Sequence, residues 1–110
     1  MKLRKYDIIL VNFPFSDLKQ SKLRPALVIK SLEGENTILS QITTKKRNLS
    51  KYEIILNRKS CEGDIRFDSN ICIDMIFTLH KSLIVNKLGY IKDEKIKDQI
   101  DSKIKDLFSS

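Results

Sequence analysis

The apolar runs of this chain are too short to be helices and too closely spaced to leave room for helices between them, which restricts the first ninety residues to β structure. Asp7-Ile-Ile-Leu-Val-Asn12 is rich in β-branched residues and ends at Phe13-Pro14-Phe15, so it predicts a strand running into a loop. The polar and basic stretch 16–23 forms that loop, and Arg24-Pro25 then leads into Ala26-Leu-Val-Ile29, a second strand apolar enough to be buried on both faces or nearly so. Glu33-Gly34-Glu35-Asn36 supplies a turn, after which Ile38, Ser40 and Ile42 alternate with Leu39, Gln41 and Thr43 as a third strand requires. Tyr52 to Leu56 reads as a fourth strand. A polar connection containing Gly63 leads to a fifth, Asn70-Ile-Cys-Ile-Asp74, with an extension through Met75-Ile76-Phe77 left open. Short strands at this spacing favour a small barrel or sandwich over a helical or βαβ fold.

From Lys92 onward the period changes. Ile96, Ile100, Ile104, Leu107 and Phe108 form one apolar stripe, opposed by Lys95, Lys97, Asp98, Asp101, Lys103 and Lys105, which predicts a C-terminal helix. Asp93 and Glu94 stand where the positive end of its dipole favours an acid. The stripe is expected to pack on the β structure, with a share in a dimer interface as the alternative. A chain of 110 residues fits a single core, so one domain spanning 1–110 is expected. Cys61 and Cys72 lack a CxxC spacing and are too few for a disulfide scaffold or a cysteine zinc site, so both are expected to be reduced thiols, with Cys72 in a strand. Ile8 to Val11 is too short for a signal peptide or a membrane span, and a cytoplasmic location is expected.

Charge is distributed unevenly. Residues 1–60 hold 13 Lys/Arg against 5 Asp/Glu, whereas residues 61–110 hold 8 against 9. A basic half of this kind suits a polyanion such as nucleic acid, because neutralising phosphates releases counterions. The other reading is a solvated Lys-rich surface.

If the ligand is RNA, cleaving it without a metal requires the 2′-OH to be aligned on its neighbouring phosphorus, two protons to shift, and the extra negative charge on phosphorus to be stabilised. His80 is the only histidine, so a pair of histidines cannot serve as base and acid within one chain. An Arg, with a Thr or Asp nearby, has to carry the work. Arg24 is held toward extended geometry by Pro25 and its guanidinium suits a bidentate phosphate contact; a surface Arg paired with an acid is the alternative. Thr43, at the end of the third strand, either presents its hydroxyl to a groove or is simply a good β-former. No His, Cys or carboxylate cluster has metal-ligand spacing, so neither metal nor cofactor is expected.

The run Tyr6-Asp7-Ile-Ile-Leu-Val-Asn-Phe13, the loop ending Gln20-Ser-Lys-Leu-Arg24-Pro25-Ala-Leu-Val-Ile29 and the strand end Gln41-Ile42-Thr43-Thr44 resemble, in order and spacing, the N-terminal blocks of MazF/PemK toxins. The resemblance extends to Lys87-Leu88-Gly89 and the terminal helix. It implies an SH3-like barrel, metal-independent and sequence-selective cleavage of single-stranded RNA to 2′,3′-cyclic phosphate ends, a homodimer, and a cognate antitoxin as partner. It also implies Arg24, Thr43 and Asp74 as catalytic residues, with Arg24 stabilising charge and donating a proton, Thr43 holding the phosphate and Asp74 assisting as base. The basic loops, with Lys19, Gln20, Ser21 and Lys22 in one and Thr44, Lys45, Lys46 and Arg47 in the other, are expected to track the RNA backbone, and Phe13 or Phe15 to stack a base. Core use of Phe15, as a plug for one barrel end, is the alternative.

The chain departs from the family pattern in three places. Tyr6 replaces a Gly and is expected to matter little. Met75 and Phe77, in Asp74-Met75-Ile76-Phe77-Thr78, replace an amide and a cation, which is expected to alter the RNA surface unless Phe77 is buried, the reading we favour. His80 replaces a frequent Asp and is expected on the surface. An SH3-like nucleic-acid or protein-binding module without catalysis is the competing function.

Overall fold

The computed structural model describes residues 2–14, 21–48 and 51–109. Seven strands, β1 (Asp7–Pro14), β2 (Ser21–Ser31), β3 (Asn36–Thr43), β4 (Glu53–Leu56), β5 (Cys61–Gly63), β6 (Ser69–His80) and β7 (Ile84–Ile91), precede one helix, α1 (Glu94–Leu107). They form a single sheet of order β4-β6-β3-β2-β1-β7-β5, antiparallel at every pairing. The mainly β fold with a C-terminal helix is thus the one expected from sequence. The sheet does not close on itself among the described residues, and β4 and β5 are its edges.

Alternation along the strands gives the sheet two separate cores. Ile9, Val11, Phe13, Ala26, Val28 and Leu39 pack together on one side, with Phe77, Leu79 and Ile84 against them. On the other, Ile8, Leu27, Ile42, Ile54, Leu56, Ile71 and Ile73 meet Cys61, Ile91 and Ile100 of α1. Residues 26–29, expected to be apolar on both faces, belong to both cores because Ala26 and Val28 point one way and Leu27 and Ile29 the other.

Several boundaries differ from the sequence reading. β2 begins at Ser21, so Arg24-Pro25 lies within a strand and not at its entry. Pro25 is tolerated there because β2 pairs with β3 only from Ala26 onward, so its missing N–H breaks no ladder bond on that side. β6 runs the full distance from Ser69 to His80, but Ser40 faces Ile76 while Gln41 faces Cys72. Residues 73–75 are therefore a bulge, within a strand that does continue through Met75-Ile76-Phe77. Met75 is exposed, whereas Phe77 is half-buried with its ring 4.6 Å from that of Phe13. β7 was not anticipated: Asn86 and Lys87 interrupt its apolar pattern, and it meets β1 through two register shifts. β5 and β7 cross so closely at Gly63 and Gly89 that a Cβ on either would collide with backbone of the other strand, which only glycine avoids.

The helix starts at an Asp93 N-cap whose side chain accepts the Lys95 N–H at 2.8 Å, a contact that satisfies one of the free amides of the first turn. Ile100 is fully buried, and Ile96, Ile104 and Leu107 are partly so. Phe108 lies just past the helix, is 73% exposed and does not extend the stripe, because the chain leaves helical geometry there. Both sheet edges meet α1. Ile54 and Leu56 of β4 and Cys61 of β5 share a core with Ile100, and the Lys92 N–H donates to Ser60 O at 2.8 Å.

Tyr6 carries more weight than its sequence position suggested. Its φ is 75°, in the left-handed region where a side chain costs about 1 kcal/mol and glycine costs none. The hydroxyl donates to Asp101 of α1 at 2.7 Å, and the Lys5 and Lys97 ammonium groups lie 5.1 and 5.3 Å from the ring centre. Strain at the strand entry is thus offset by a tether to the helix.

Candidate RNA-cleaving face

Register determines which side chains share a face. Ala26 of β2 lies opposite Gln41 of β3, Gln41 opposite Cys72 of β6, and Cys72 opposite Glu53 of β4. Directly opposed residues in an antiparallel pair point to the same side, so these four form one row. Two residues further along, Thr43 lies opposite Asn70, roughly 7 Å from the first row by strand geometry. Arg24, two residues before Ala26 and beyond the stretch paired with β3, points to the same side of the sheet by alternation. Lys22, two residues before Arg24 and exposed, projects there too.

Arg24 and Thr43 are half-buried, which suits groups that must be both held in place and reachable. Thr43 Oγ1 accepts the Lys45 N–H at 3.1 Å and so shapes the start of the basic segment. Thr44, Lys45 and Lys46 are exposed. Arg47 folds back onto the sheet. Its backbone N–H and Nε both donate to Glu53 Oε1, at 3.1 and 2.9 Å, and its two terminal nitrogens fork onto the Asp74 carboxylate at 3.1 and 2.7 Å.

The Arg47 fork holds the Asp74 carboxyl below its ordinary range, and the same contact raises Arg47 still further above its own. Asp74 is consequently ionised at neutral pH and a weaker base than an unpaired carboxylate. Burial raises the Cys72 thiol and pushes Cys61 up to about 11, which favours the protonated form of both at neutral pH.

Of the residues singled out from sequence, Arg24, Thr43 and Lys22 are brought to one face, and Arg47 and Asp74 are locked together. Phe15, Lys19 and Gln20 lie outside the described residues, as does the side chain of Ser21. Phe13 is buried against Phe77. His80 is exposed and caps a short turn by accepting the Ser82 N–H at 3.1 Å. Glu53 was missed by sequence reasoning. Its signal was a carboxylate inside the short apolar run Tyr52–Leu56, which a strand buries only when a cation meets it.

On the other side of the sheet, Pro25, Ile42, Ile65, Phe67 and Leu88 line a cavity of about 480 Å³. Its wall is mostly apolar, and the Asp64–Arg66 ion pair at its rim leaves little net charge for a phosphate. No group of three or more potential metal ligands occurs among the described residues, and no described helix is long and apolar enough to cross a membrane.

The fold is an antiparallel sheet with one helix packed against it and a basic, arginine-bearing face. Residues 4–108 match the model of the PemK-like, MazF-like toxins of type II toxin–antitoxin systems, and the chain belongs to that family. It is 26% identical over 100 residues to an endoribonuclease MazF of Staphylococcus saprophyticus, covering 87% of this chain and 83% of that one. Among solved structures, a Mycobacterial endoribonuclease in complex with its cognate antitoxin superposes with a TM-score of 0.74 at 12% identity, over 94% of this chain and 91% of that one. MazF in a MazE–MazF complex from Deinococcus radiodurans gives 0.73 at 16% identity, over 97% and 96%. At those identities the structures attest the fold.

Proposed function

We propose that this toxin is an endoribonuclease that cuts single-stranded RNA by attack of the 2′-oxygen on the adjacent phosphorus, and that it works without a metal in the cytoplasm. The observation that carries the reading is that Arg24 and Thr43 stand on neighbouring strands just beyond the Ala26–Gln41 pair and, by alternation, on one side of the sheet, in a chain similar to a MazF endoribonuclease. The Thr43 hydroxyl and the Arg24 guanidinium hold the phosphate, and Arg24 neutralises the charge that builds on its oxygens. As the 2′-oxygen bonds to phosphorus its proton passes to Asp74, a base weakened by the Arg47 fork but with a second lone pair on each oxygen outside it. The bond from phosphorus to the 5′-oxygen breaks, and the departing oxygen takes a proton across its hydrogen bond from Arg24, leaving a 2′,3′-cyclic phosphate and a 5′-OH. Lys22, Lys45 and Lys46 supply the surrounding positive field, and the Lys19–Ser21 segment contributes substrate contacts and sequence preference.

A related fold occurs in complex with its cognate antitoxin, and the same basic face suits an acidic, partly disordered antitoxin that excludes RNA, on a homodimeric toxin. The half-buried Phe77 supports an intact function: its departure from the family pattern is absorbed by packing on Phe13. A long RNA incubated with the protein in EDTA should yield cyclic phosphate ends. Activity lost in chelator and restored by a divalent cation would sink the reading.

A further inference from the structure

We propose that Glu53 is a positioning residue for RNA cleavage: it anchors Arg47, and through Arg47 it fixes both the Thr44–Asn48 segment and the Asp74 carboxylate over the Arg24/Thr43 face. The inference rests on the proposed cleavage face.

Three observations carry it. Glu53 is buried, with 5% of its side chain exposed, and one of its oxygens takes two bonds from Arg47, one from the backbone and one from Nε. A backbone contact fixes the path of the segment and not merely the end of a side chain. The remaining two nitrogens of the same guanidinium are spent on Asp74, which sits in the β6 bulge, where regular pairing with β3 does not hold the backbone. A bulge residue without that fork keeps more freedom than a ladder residue. The planar five-donor group is suited to bridging two carboxylates at once.

Charge explains why this is a positioning device and not a binding site. Two carboxylates share one guanidinium, so the cluster is net negative on a face that must admit phosphates. It therefore opposes RNA binding slightly while fixing geometry, and its loss should separate the two effects. In Glu53→Ala, kcat should fall by about ten- to a hundredfold from misplacement of the reacting groups, with KM unchanged or lower. Glu53→Gln keeps an oxygen that can accept both Arg47 bonds and should restore kcat to within about threefold of the parent.

The test is single-turnover and steady-state cleavage of an RNA oligonucleotide by the full chain, with circular dichroism to score folding. If Glu53→Ala does not fold, Arg47→Lys answers the same question, because it keeps the charge and loses the fork; its kcat per folded molecule should drop similarly. A folded Glu53→Ala or Arg47→Lys protein with parental kcat would overturn the inference, as would Glu53→Gln as impaired as Glu53→Ala. An active Arg24→Ala protein would instead remove the cleavage face itself, so the two failures are distinguishable.

Discussion

Asp7 and Glu53 are both acids sunk into strands of the same sheet, each met by one cation, yet they are built to different ends. Asp7, 3% exposed, takes the Arg4 N–H at 2.8 Å and the Lys87 ammonium at 3.2 Å. Arg4 precedes β1 and Lys87 lies on the neighbouring strand β7, where its ammonium also sits 5.8 Å from the Tyr90 ring centre and meets no second carboxylate among the described ion pairs. Glu53 meets an arginine whose far side continues to a second carboxylate on another strand. A lysine ammonium is a point charge whose three donors rotate freely and fix no direction, while the planar arginine fork carries orientation onward. The same burial of charge thus serves to lock a strand entry in one place and to aim a loop in the other.

The comparison is broken most decisively at the face that Glu53 serves. Arg24→Ala should lower RNA cleavage by about a thousandfold, roughly 4 kcal/mol of transition-state stabilisation, with the thermal transition nearly unchanged. Retained activity would leave Glu53 with nothing to aim at. Asp7→Ala should show the opposite profile, losing about 2 to 3 kcal/mol in urea unfolding because a buried pair is broken, while cleavage per folded molecule stays at the parental rate. A kcat defect matching that of Glu53→Ala would erase the distinction between the two acids.

Phe77→Ala should cost about 2 kcal/mol, less than a fully buried Phe, and leave the salt dependence of RNA binding unaltered, since its ring faces Phe13. A stable variant with weakened RNA binding would place Phe77 on the substrate side. The smallest effect is in acid. A carboxyl lowered on folding contributes stability above its ordinary range, and that contribution is lost as pH falls through its folded value. Arg47 lowers Asp74 in this way, so as pH falls below the ordinary carboxylate range the parent should lose more stability than Arg47→Ala, by no more than the roughly 0.2 to 1 kcal/mol of a solvent-screened pair. Equal losses would mean the fork is not formed in solution.

Strands β1 to β4 and the helix were legible because their side chains repeat at the period of the structure they adopt. β7 was not, since Gly89 and the polar pair Asn86 and Lys87 break its alternation and its register with β1 shifts twice; only the partner strand defines it. Arg24 and Thr43 were legible as residue types, but their adjacency comes from pairing between strands, which no local pattern encodes. Glu53 was hidden for a related reason. A buried acid looks like an ordinary strand residue until the arginine six positions earlier is seen to turn back onto it. Tyr6 was undervalued because the sequence shows neither its positive φ nor Asp101, the partner 95 residues away that makes the strain worthwhile.

Because Ile54 and Leu56 of β4, Cys61 of β5 and Ile100 of α1 belong to one core, the helix completes the packing of both margins of the sheet. Emptying the Ile100 site should therefore loosen β4 and β5 ahead of the central strands, and their amides should be the first to exchange.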